Sequence, residues 1–125
     1  MTGPTIHDQA APEALRQRLQ EALDEGKALD VRVLEISNLT TIADWMIIAT
    51  GRSDRHVKAL ADALLEAGRE VGWRPLGVEG VRQGEWVLVD FQDVIVHVMQ
   101  SAMREFYNLE KLWDLPVARG MARHR

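Results

Sequence analysis

Residues suited to chemistry gather at two places in this sequence. The first is Thr50-Gly51-Arg52-Ser53, followed by Arg55 and His56, which reads as a turn from a strand into a helix. Backbone N–H groups at a helix start attract anions, and the three cationic or titratable side chains would add to that field. Metal-assisted phosphate chemistry there would also need closely spaced carboxylates on an adjacent strand. Asp62 and Glu66 instead fall on the helix after the turn, and Asp90 and Asp93 straddle a second turn. The other reading makes Gly51 the bend and Ser53 the helix cap. The second place is Asp90 with His97, where acid–base work is conceivable but no nucleophile stands beside the pair. His7, His56, His97 and His124 are scattered, and none has the i, i+4 spacing of a helical zinc pair. There is no G-x-S-x-G and no Walker-type loop, so no catalytic residue, metal ligand or cofactor is assigned.

The elements that must position these residues follow from hydrophobic period and punctuation. Pro12 suits a first helical turn, Leu15, Leu19, Ala22 and Leu23 share one helix face, and Gly26 ends the run. Val31 to Ile36 reads as a strand, and Asn38 to Thr41 as a polar turn. Trp45 to Thr50 is a second strand, apolar on both faces and therefore expected in the sheet interior. Val57, Leu60, Ala61, Leu64, Leu65, Gly68 and Val71 form a helical stripe capped by Ser53 or Asp54 and closed by Gly72. Pro75 to Val78 is a weak strand. Glu85 to Phe91 and Val94 to Met99 are strong strands separated by two residues, and a last helix starts at Ser101 and passes Tyr107. This order predicts an α/β fold with a β-sheet of mixed direction and flanking helices.

If Gln92 and Asp93 form a two-residue loop, Leu88 lies opposite His97, Trp86 opposite Met99, and Asp90 opposite Ile95. Alternation then puts Val87, Val89, Phe91, Val94, Val96 and Val98 on one wholly apolar face that must lie against helices. The other face carries Trp86, Leu88, Asp90, Ile95, His97 and Met99. Burying its carboxylate and imidazole inside a monomer requires dedicated partners. Leaving the face in water exposes a large apolar patch. Two resolutions stand at this point: a partner-binding surface, or a sheet face covered by another helix.

Bulk properties narrow the function classes. At 125 residues the chain is one domain, and 46% hydrophobic content can fill its core. With no cysteine, disulfide frameworks and thiolate zinc sites are excluded, and a reducing compartment is expected. Charges run through the first thirty residues and no apolar run approaches a membrane span, so the expected address is cytoplasmic. Fifteen basic and nineteen acidic residues give a net charge of −4, which argues against direct nucleic-acid reading. The one basic cluster, Arg119, Arg123, His124 and Arg125, sits in a stretch read as a solvated tail. The expected layout is a disordered segment over 1–11, a domain over 12–113, and a tail over 114–125.

Taken in order, several blocks resemble a known family. They are Asp44-Trp45-Met46-Ile47-Ile48-Ala49-Thr50-Gly51 with Ser53, Glu79-Gly80, Trp86-Val87-Leu88-Val89-Asp90, Asp93-Val94-Ile95-Val96-His97-Val98, and Arg104 through Trp113. Together they look like the Iojap-like ribosomal silencing factor (RsfS) family, over about Pro12 to Trp113. The resemblance implies a nucleotidyltransferase-like fold without the catalytic carboxylates, and a protein that is not an enzyme. It implies binding to the large ribosomal subunit through the uL-fourteen ribosomal protein, blocking small-subunit joining and repressing translation under nutrient limitation. Homodimerisation of the free protein is also implied. By motif, Trp86 and Tyr107 would be partner contacts, with Leu88, Asp90, His97 and Glu110 close by. Gln92 departs from the family, which usually has glycine there, and this touches the turn type and the register. Trp45 departs too, replacing a tyrosine, phenylalanine or smaller residue. The alternative of a different class remains a nucleotide-binding or nucleotidyl-transferring enzyme using the Thr50–His56 turn.

Overall fold

The computed structural model describes residues 9–107. The elements are α1 (Pro12–Glu25), β1 (Leu29–Glu35), β2 (Trp45–Gly51), α2 (Asp54–Glu70), β3 (Gly77–Glu79), β4 (Trp86–Asp90), β5 (Val94–Gln100) and α3 (Ser101–Tyr107). Glu110 and Trp113 lie outside the described residues. Within the stretch expected to be disordered, Ala10 is held at both backbone groups: its N–H donates to Val71 O and its carbonyl accepts from Trp73 Nε1. Ordered chain therefore begins before Pro12, tied to the far end of α2.

The five strands form one sheet in the order β1-β2-β5-β4-β3. Among the described strands only the β2–β5 pair is parallel; β1–β2, β5–β4 and β4–β3 are antiparallel. This is the mixed direction predicted from element order. The doubly apolar β2 lies inside the sheet, between β1 and β5. The weak strand with Pro75 before it is the three-residue edge strand β3, where a missing N–H is tolerated.

Hydrophobic residues divide by strand parity into two cores. The larger packs Leu15, Leu19 and Leu23 of α1 and Val57, Leu60 and Leu64 of α2 against Ile47, Ala49, Val87, Val89, Val96 and Val98. The apolar hairpin face thus lies against helices, as its pattern required. The smaller core, on the opposite face, is Ile36, Ala43, Met46, Ile48 and Met99, with Leu34, Leu39, Trp86, Ile95 and Met103 packed around it. Residues 36–44 and α3 cover that side.

The helix α1 ends at Gly26, as the sequence indicates, but Gly26 is not the left-handed residue. Gly26 has an ordinary φ of −82°, and the left-handed residue is Lys27, at φ 63°. The Ala28 N–H donates back to Leu23 O, closing the helix end. What Gly26 provides is space, since a Cβ there would sit 2.6 Å from Leu60 Cδ2. Trp45 is likewise accounted for by packing: the Arg16 guanidinium lies 4.8 Å above its ring.

Candidate functional site

The β4–β5 hairpin is where local chemistry and sheet position converge. Trp86 faces Met99, Leu88 faces His97 and Asp90 faces Ile95, the register expected from a two-residue loop. The turn that sets it has specific geometry. Phe91 N–H donates to Val94 O, Asp93 N–H donates to Phe91 O, and Gln92 has φ 79°. An i to i+2 hydrogen bond around a positive-φ residue is a γ-turn. Gln92 therefore occupies a backbone conformation that favours glycine, the residue the family resemblance leads one to expect there. The register is kept because Asp90 Oδ1 accepts from Gln92 N–H at 2.7 Å. The Asp93 carbonyl also accepts from Asp44 and Trp45 N–H, pinning the turn to the start of β2.

Along the half-polar face, β4 and β5 supply side chains in two different states. Met99 is fully buried in the smaller core, beneath the α3 side. Trp86, Leu88, Asp90, Ile95 and His97 are half-buried. The face is thus neither wholly covered nor wholly open: Met99 is closed off, and the half-buried side chains form a window, with Trp86 and Ile95 also packed against the smaller core. Glu79 of β3, opposite Leu88, extends that window with an exposed carboxylate.

Within the window, Trp86 Nε1 donates to His97 Nδ1 at 2.9 Å, with ring centroids 5.8 Å apart. The two residues are diagonal neighbours on one face, within reach of long aromatic side chains. Burial lowers the His97 pKa to about 4, so the ring is neutral at physiological pH. Direct neighbours in register are Leu88 and Ile48, both apolar, which leaves desolvation to act without an opposing charge. Asp90 and His97, paired as a possible acid–base couple from the sequence, are not joined: the carboxylate holds the turn and the imidazole holds the indole. Sequence reasoning missed the Trp86–His97 bond because it compared facing residues, whereas the bond runs along the diagonal. Tyr107 ends α3, and its side chain lies outside the described residues, as does Glu110.

The Thr50–His56 turn is committed to structure. Ser53 caps α2, its Oγ accepting from His56 N–H, and its carbonyl accepts from Val57 N–H. Arg52 N–H donates to His56 Nδ1, and Arg55 N–H donates to Asp54 Oδ1. With its proton on Nε2, His56 donates to Gly26 O at 2.8 Å and clasps the end of α1. Thr50 Oγ1 accepts from Arg104 of α3. A phosphate would have to displace these bonds to reach the N–H groups. Among the described residues, no three His, Asp or Glu side chains come together as a metal set. No described helix is long and apolar enough to cross a membrane.

Residues 8–123 match the family model described as "Ribosomal silencing factor during starvation". The chain is 48% identical over 93 residues to the ribosomal silencing factor RsfS of Chromobacterium violaceum, covering 74% of this chain and 76% of that protein. It is 40% identical over 98 residues to RsfS of Bacillus subtilis, covering 78% and 83%. The fold matches the crystal structure of a Chromobacterium violaceum protein with a TM-score of 0.82 at 43% identity, covering 84% of this chain and 88% of that one. From motif order, fold and these matches together, this chain belongs to the ribosomal silencing factor family.

Proposed function

We propose that this protein silences ribosomes by occupying the large subunit through the Trp86–His97 window. The finer reading is that the window docks on the uL-fourteen ribosomal protein and bars small-subunit joining when nutrients are limiting. Family membership supports the ribosomal role, and the observation that carries the site is the half-buried, hydrogen-bonded Trp86–His97 pair. Aromatic anchors flanked by apolar residues and rimmed by polar ones are the usual make-up of an interface core. Leu88 and Asp90 lie beside the pair, and the motif adds Tyr107 and Glu110 to the proposed contact.

Occupancy is sufficient for this function. A standard interface takes about 800 Å² per partner, and a domain of about 14 Å radius is bulky enough to obstruct a docking surface. The mechanism needs no bond-making step, no cofactor and no direct nucleic-acid reading. The domain over 12–113 acts in the cytoplasm, and the free protein pairs with a second copy.

Trp86→Ala tests the surface. Loss of an anchor of about 2 kcal/mol weakens co-sedimentation with large subunits roughly thirtyfold. Circular dichroism establishes that the variant is folded. A folded variant that co-sediments as well as the parent removes this surface from the function.

A further inference from the structure

We infer that the Trp86 indole fixes His97 in one tautomer, so that the window presents its protein partner with a neutral Nε2–H donor that meets an oxygen acceptor. This deepens the ribosomal reading and rests on it for the identity of the partner.

An indole nitrogen can only donate, so the His97 Nδ1 atom it addresses must keep its lone pair. A neutral imidazole then carries its one proton on Nε2. Protonating Nδ1 would set two N–H groups against each other across a 2.9 Å separation. Burial between Leu88 and Ile48 disfavours the imidazolium as well. Register places Asp90 of β4, Glu79 of β3 and Arg32 of β1 on this side of the sheet, and the covering segments add Asp44 and, from α3, Arg104 and Glu105. None is hydrogen-bonded to the ring: Asp90 is engaged by Gln92 N–H, and Arg104 reaches Thr50 Oγ1 and the Asp30 carbonyl. No described residue takes the Nε2 proton.

The consequence is a selective contact. A main-chain carbonyl or carboxylate oxygen opposite His97 gains a hydrogen bond, while an amine or amide N–H meets a like donor and is rejected. Trp86 thus has a role beyond its apolar area, as a positioning residue that acts through His97. The contact holds across neutral pH, because the ring does not ionise there.

Two measurements test this, one on the free protein and one on the complex. Long-range nitrogen–proton NMR of the labelled free protein is expected to show His97 protonated at Nε2 and bare at Nδ1 throughout neutral pH. Trp86→Phe, which keeps a ring but removes the N–H, is expected to show both tautomers and to bind purified bacterial large subunits about tenfold more weakly. His97→Gln, whose amide N–H reaches the Nε2 position, should bind within about threefold of the parent, whereas His97→Phe should lose about tenfold. Circular dichroism of each variant confirms the fold. A proton on Nδ1 in the parent, or unchanged binding by His97→Phe, overturns the inference while leaving the ribosomal reading intact. A parent protein with the stated tautomer that does not bind large subunits overturns the ribosomal reading, and the docking role of His97 with it.

Discussion

The half-buried imidazole concentrates the chemistry of this protein into one residue. His97 has Leu88 and Ile48 on its flanks and an indole N–H on Nδ1, and its pKa falls from an ordinary 6.5 to about 4. Between those values the unfolded chain takes up a proton that the folded chain refuses. Stability therefore rises with pH across that window, and is lost as pH falls from about 6.5 through about 4. Urea unfolding at a series of pH values should show this slope, and His97→Phe should lose its share of it. A variant with an unchanged slope would mean that His97 titrates normally in the native state. The identity of His97 as an unusual residue was readable from alternation along β5. Its partner was not, because a diagonal contact depends on side-chain reach and on sheet twist.

At the scale of the element, the hairpin shows how a local conflict is absorbed. Alternation over 86–99 implied the register, and the structure has that register although Gln92 stands where glycine is favoured. Three bonds hold the turn in place: Asp93 N–H to Phe91 O, Phe91 N–H to Val94 O, and Gln92 N–H to the Asp90 carboxylate. The left-handed backbone still carries a penalty for a side chain bearing a Cβ. Gln92→Gly should raise stability by about 0.5–1 kcal/mol in thermal unfolding, the strain relieved less the added chain entropy of glycine. A decrease would show that the Gln92 side chain makes a stabilising contact. Gly26 teaches the converse lesson. A glycine after a helical run reads as a left-handed cap, yet its function is clearance for Leu60, and Lys27 takes the left-handed position.

For the whole molecule, the unequal cores divide the labour. The larger, helix-backed core contains Leu64 and Val96 and lies on the far side of the sheet from the window. Leu64→Ala should cost about 2–5 kcal/mol in denaturant unfolding through the cavity it leaves. Its affinity for large subunits, measured where the variant remains folded, should match that of the parent. A parallel loss of affinity would mean that window geometry is coupled to packing across the sheet. The smaller core covers part of the opposite face, burying Ile48 and Met99 and packing against Trp86 and Ile95, so the sheet leaves half-buried groups beside it. That arrangement suits a protein that acts by occupying a surface.

Sequence by itself determined the mixed α/β class, the apolar hairpin face, a cap at Ser53 or Asp54 and the register of the last two strands. Each depends on neighbours close in the chain, where hydrophobic period and turn chemistry operate. Ordered motif blocks also carried the family, which the later comparisons upheld. Tertiary structure decided what lies far apart in sequence: Arg104 reaching Thr50, His56 clasping Gly26, and Ala10 held by Val71 and Trp73. It also decided that Met99 on the half-polar face is fully covered while His97 is half-buried. Packing between distant elements settles burial, and burial in turn sets the charge state of the imidazole.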